Sequence, residues 1–102
     1  MKAEVINKPE NQILRLLTGK TRVNSALPLA LKDLLRLKIQ ERRAQIKEYE
    51  QKYKMTFSDY EKACVDGRIK DPYSYEVEKD GWDWEALLTE IEDLEEMSQW
   101  LA

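Results

Sequence analysis

The sequence predicts a single all-α domain, with a long central helix, short flanking helices and a C-terminal helix packed antiparallel onto the long one in coiled-coil-like fashion. Three observations predict it. From Pro28 to about Lys54 no helix breaker occurs, and Leu, Lys, Arg, Glu and Gln, all good helix formers, dominate. Within that run Leu31, Leu35, Ile39, Arg42, Ile46, Tyr49 and Tyr53 recur at alternating spacings of four and three, the seam of a helix packed along its length. Near the end Trp84, Leu87, Leu88, Ile91, Leu94, Met97 and Leu101 form a second stripe at helical spacing that can face the first.

The elements follow in chain order. Met1–Ile6 fits either a fraying end or a short strand. Pro9 can open a helix, because its missing N–H falls among the unpaired donors of a first turn, and Gly19 can end one in the left-handed conformation; Ile13, Leu14, Leu16 and Leu17 give the helix between them an apolar face. Lys20–Asn24 reads as a linker and Ser25 as the N-cap of the long helix. Within the seam Arg42 is the polar exception, expected either to snorkel or to pair with an acid on the facing helix.

A corner follows. In Met55-Thr-Phe-Ser-Asp-Tyr60, Thr56 is placed as N-cap, Asp59 at the third helical position to reach back and complete a capping box, and Met55 to pack on Tyr60, so a short helix opens there and stops at Gly67. Arg68–Gly81 reads as irregular: Asp71-Pro72 halts helix propagation, Tyr73, Tyr75 and Val77 alternate with polar residues as an extended strip would, and Asp80-Gly81 is a turn signal. Asp83 then caps the last helix.

Charge is divided along the chain. The net −3 combines a basic half, residues 1–54 at +7, with an acidic half, residues 55–102 at −10. Opposite halves folding back on each other would neutralise both; otherwise the basic half suits nucleic acid, with Arg36, Arg43 and Lys47 as candidate contacts, and the acidic half suits a basic protein. With 36% charged residues the helices should be thin and well solvated, so self-association is expected, through Leu35, Ile39, Ile46, Tyr49 and Tyr53.

Composition argues against an enzyme and against a metal or other cofactor. Histidine is absent, which removes the commonest general base and zinc ligand. Glu76–Leu87 carries acids at the first, third and fifth positions of a calcium-loop pattern and Gly81 at the sixth, but Leu87 stands where a bidentate carboxylate is required. Thr18-Gly-Lys-Thr21 lacks the first glycine and the strand of a phosphate-binding loop. The single cysteine, Cys64, permits no internal disulfide and fits a cytoplasmic location; the longest apolar run, Ala26–Leu31, is interrupted by Pro28 and is far too short to span a bilayer. No catalytic residue is expected. Exposed aromatics in an acidic setting instead suggest a protein contact through Tyr73, Tyr75, Val77, Trp82 and Trp84, the last also a core candidate from its place on the stripe.

Residues 48–88, "EYEQKYKMTFSDYEKACVDGRIKDPYSYEVEKDGWDWEALL", carry a charged helix leading into Lys52-Tyr-Lys-Met-Thr56, the aromatic Tyr60, Gly67, Asp71 and an acidic approach to Trp84-Glu85. In these features the chain resembles small all-helical prokaryotic proteins taken to be antitoxin-like partners encoded with toxins. Lys54 stands where that pattern usually has glycine. The resemblance implies a non-enzymatic antitoxin that binds and neutralises a toxin through its helices and acidic segment. The rivals are a nucleic-acid-binding regulator and a coiled-coil assembly protein.

Overall fold

The computed structural model describes residues 9–101, and the segment Met1–Ile6 lies outside them. Four helices occur in the order α1 (Pro9–Thr18), α2 (Val23–Tyr53), α3 (Phe57–Asp66) and α4 (Tyr75–Trp100), with no strand among the described residues. The molecule is a rod, 64 × 23 × 22 Å. Its length is set by α2, whose 31 residues span ~46 Å at ~1.5 Å each.

α1 ends where Gly19 puts it: Gly19 adopts φ +70° and its N–H donates to the Arg15 carbonyl at 2.8 Å. The start of α2 differs from expectation. Ser25 lies inside the first turn, because its N–H and that of Ala26 both donate to the Arg22 carbonyl at 3.1 and 2.8 Å, which closes the helix on Arg22. Arg22 has no side-chain acceptor to offer, so the helix begins without a side-chain cap. Pro28 is thereby carried into the second turn, where it denies the carbonyl of the exposed Asn24 its helical donor.

The corner forms at the expected residues, but with only the Thr56 half of the capping box: no hydrogen bond returns from the Thr56 N–H to the Asp59 carboxylate. Thr56 Oγ1 accepts from the Asp59 N–H at 3.3 Å, Met55 packs against the core, and Gly67 ends α3 at φ +85° with its N–H on the Ala63 carbonyl. Lys54, the C-cap of α2, sits at φ 56°, ψ 41°, a left-handed geometry that costs a β-carbon-bearing residue about 1 kcal/mol and glycine almost nothing.

Residues 75–83 correct the sequence reading. They are helical, so there is no extended strip, Asp80-Gly81 is not a turn and Asp83 is not a cap. Ser74 opens α4 instead, accepting from the Val77 N–H at 3.3 Å, and Glu76 and Glu78 lie in the first turn at the positive end of the helix dipole. Glycine inside a helix costs ~1 kcal/mol relative to alanine. Gly81 tolerates that because a β-carbon there would stand 3.0 Å from Tyr60 Oη, so the missing side chain is the space the Tyr60 ring occupies.

Antiparallel packing of α4 on the second half of α2, closed at the corner by α3, builds one core of Ile46, Tyr60, Ala63, Ile69, Trp84, Leu87 and Ile91. Trp84 is its centre, with no exposed surface. Tyr49 and Tyr53 stack on it at 5.6 and 6.0 Å between centroids, and Phe57 and Tyr60 meet it at 5.3 and 5.2 Å with inclined planes. Such aromatic pairs each add ~0.5–1.5 kcal/mol beyond area burial. The residues expected to mediate self-association are therefore consumed within the chain: Ile46 is buried, Ile39, Tyr49 and Tyr53 pack against the core, and Leu35 is half-buried.

Candidate interaction surface

The two charged halves meet along the α2–α4 seam. Arg42 resolves in favour of pairing, its Nε donating to Glu90 Oε2 at 2.7 Å, and Arg43 reaches Glu95 at the same distance. At the other end of the seam Lys52 Nζ donates to Glu76 Oε1 at 2.9 Å and to Asp80 Oδ2 at 2.6 Å, and Tyr53 Oη donates to that same Asp80 oxygen at 2.6 Å. Burial would raise the Asp80 pKa, but the Lys52 ammonium and the Tyr53 hydroxyl outweigh it and hold the carboxyl below its ordinary range. Hydrogen bonds to Asp80 and Glu76 push Lys52 up, and burial, followed by the hydrogen bond to Asp80, pushes Tyr53 up. Both therefore remain proton donors to Asp80 at neutral pH.

These pairings decide what is left for a partner. Of the candidate nucleic-acid contacts, Arg43 is tied to Glu95 and Arg36 to Asp33 of its own helix at 3.3 Å, and Lys47 is exposed. On the acidic side Trp84 leaves the contact set, since the core encloses it completely. Val77 also turns inward: it is half-buried against the core, and its carbonyl accepts a hydrogen bond from Tyr60 Oη. Burial, with Cys64 alongside, pushes the Tyr60 hydroxyl up to about 12, so it stays a donor across the neutral range.

Tyr73, Tyr75 and Trp82 remain in solvent, at 82%, 73% and 62% exposure. Tyr73 and Trp82 share a shallow cleft of about 330 Å³ between α3, the 67–74 loop and α4, floored by Phe57, Tyr60, Cys64 and Gly81. Tyr75 is not on it. Glu61, Glu78 and Glu85 stand around the rim, exposed, and none of the three is ion-paired among the described residues. Val65, 87% exposed, closes the α3 side. The sequence pattern hides this rim because it reads Arg68–Gly81 as irregular, with Tyr73–Val77 extended and Asp80-Gly81 a turn. On a helix Glu78, Trp82 and Glu85 fall at i, i+4 and i+7, and Glu61 and Val65 at i and i+4 on α3.

Chemically the cleft offers two aromatic faces beside three uncompensated carboxylates. Such a site takes a cation carried on an apolar stem, a lysine or arginine side chain, by ion pairing and by contact with the tyrosine or indole face; cation–π contact alone supplies ~0.5–1 kcal/mol at an exposed site. It offers no nucleophile–base pair. Among the described residues no group of three or more Cys, Asp or Glu side chains is placed to hold a metal ion, and no helix is long and apolar enough to cross a membrane.

No protein-family model, curated protein or solved structure matches the chain.

Proposed function

We propose that this chain is a non-enzymatic protein-interaction module whose acidic aromatic cleft receives a basic segment of a protein partner. The observation that carries the reading is the trio of Glu61, Glu78 and Glu85 standing unpaired around exposed Tyr73 and Trp82, while other acids of the same half are spent on internal ion pairs. Exposed aromatics of this kind are frequent anchors of protein interfaces. The antitoxin is the particular form of the proposal, in which the cleft masks a basic surface of a toxin encoded alongside. Nothing in the geometry favours the nucleic-acid reading over this one, because two of its three named cations are already ion-paired.

The test is co-expression with the product of the adjacent reading frame, followed by calorimetry on the purified pair. Tyr73→Ala/Trp82→Ala, which removes two exposed side chains and so should keep the wild-type helicity, is expected to weaken binding at least tenfold. Glu78→Gln/Glu85→Gln is expected to flatten its salt dependence. Binding unchanged in both variants would remove the cleft as the contact.

A further inference from the structure

The other half of the rod carries an apolar surface that the core does not use. In α1 the buried or half-buried positions are Asn11, Leu14 and Thr18, at spacings of three and four, so this face is the one turned to α2. Ile13, Leu16 and Leu17 lie on the opposite side, at 55%, 85% and 75% exposure. On α2 Leu27, Leu31 and Leu34 form an i, i+4, i+7 stripe that is 40–51% exposed. α4 does not reach this region. With Arg42 facing Glu90 and Arg43 facing Glu95, Trp100 falls level with about Leu35 at ~1.5 Å per residue, so the α1–α2 hairpin projects beyond the end of α4.

The ends of the two long helices carry charges that oppose their own dipoles. α2 starts with Arg22 as an N-cap that offers no side-chain acceptor, with no acid in its first turn, and with Lys20 just before it, all at the positive end of a helix. α4 ends with Glu95 and Glu96 in its last two turns and no base there, and no Lys or Arg follows Lys79 anywhere in the chain. Among the described residues Glu92 and Glu96 have no ionic partner, and Trp100, one turn beyond Glu96, is exposed.

We infer that the α1–α2 hairpin is a self-association surface, on which a second copy of this chain packs antiparallel about a two-fold axis. Each hairpin then covers the Leu27, Leu31 and Leu34 stripe of the other. Each basic hairpin tip, Lys20 and Arg22, comes level with the acidic end of the partner's α4. Two arguments select a second copy over another occupant. The first is charge: the hairpin is itself basic, and the surface it would reach beyond the partner's hairpin is the uncompensated acidic end of α4, so one arrangement relieves both mis-charged termini. The second is continuity: Leu31 belongs to the same seam that α4 covers from Ile39 onward, and the stripe is left bare where α4 ends, so what lies uncovered is the remainder of a helix-packing seam. The self-association surface is thus moved from the seam to the hairpin, and it is separate from the acidic cleft at the corner.

Sedimentation equilibrium of the full chain across a concentration series tests it. A monomer–dimer equilibrium is expected. Leu31→Asp/Leu34→Asp should give a monomer with the circular dichroism of the parent chain, since both side chains are exposed in the isolated protomer. Arg22→Glu and Glu96→Lys should each weaken the dimer at least tenfold, and the two together should restore it within threefold, as only a contact between these two charges would. A chain that stays monomeric at every concentration overturns the inference. So does a dimer indifferent to the leucine substitutions, or one in which the charge swap fails to restore what the single changes lose.

Discussion

The two halves of α2 are one continuous helix and live in different environments. From Ile39 to Tyr53 its inward face is covered by α4 and α3: Ile39 and Ile46 join the core, and Arg42, Tyr49 and Tyr53 meet an acid or an aromatic ring from the other half of the chain. From Val23 to Lys38 the helix packed on it is the ten-residue α1, through Asn11, Leu14 and Thr18, and every leucine of that stretch except Leu35 is exposed. Local sequence is equally helical in both halves, so the seam pattern reports which residues want covering and not what covers them. Stability concentrates where the pattern meets a partner within the chain; unsatisfied surface accumulates where it does not.

The largest test of that contrast is a pair of truncations. Trp84→Ala empties the centre of the aromatic cluster and should cost ~3–5 kcal/mol, enough to unfold a domain of this size under mild denaturant. Leu34→Ala, on the uncovered half, should stay within ~0.5 kcal/mol. Urea unfolding of both variants, at a concentration low enough to exclude dimers, makes the comparison; equal costs would dissolve the distinction between the halves.

Acid should act selectively on the covered half. Asp80 has a folded-state pKa below its ordinary 3.8, so its ion pair with Lys52 and its hydrogen bond from Tyr53 contribute stability that is present above that value and is lost as pH falls through the folded pKa. Lys52 is raised above its ordinary 10.5, so its share is complete below that value and disappears as pH rises through the folded pKa. The urea midpoint should accordingly decline as pH is lowered from 5 to 3, and Asp80→Asn should flatten that decline while starting from a lower plateau. An unchanged acid slope in Asp80→Asn would place the sensitivity elsewhere.

The smallest effect expected is a gain. Lys54→Gly relieves the left-handed strain at the corner, partly offset by the extra freedom glycine adds to the unfolded chain, and should raise stability by about 0.5 kcal/mol, visible as an upward shift in Tm.

Much of the fold could be read from residues whose role is local. Thr56 and Gly67 bracket α3 because a hydroxyl acceptor and a residue free to adopt positive φ are what helix ends need, and both requirements are met within a few residues of sequence. The seam was legible because period is a long-range average over many side chains. The start of α4 was not legible, because Tyr73, Tyr75 and Val77 alternate over too few residues to separate a strand from a helix, and because the Asp80-Gly81 signal is answered by Tyr60, a residue distant in sequence. Ile69 entered the core unannounced for the same reason: its N–H is held by the Ala63 carbonyl, which folds the loop inward after the Gly67 stop. The candidate site suffered from this in turn. Tyr73 and Trp82 were identified from composition, but the glutamates that give the cleft its charge line up only once residues 75–83 are helical.

The three tryptophans occupy three distinct optical environments. Trp84 is sealed among four rings, Trp82 stands at the lip of the acidic cleft, and Trp100 lies at the free end of α4. A dissolved quencher reaches two of these indoles and not the third. The protein therefore carries its own reporters: shielding of Trp82 marks occupancy of the corner, shielding of Trp100 marks an encounter at the free end of α4, partway along the rod, and exposure of Trp84 marks loss of the fold itself.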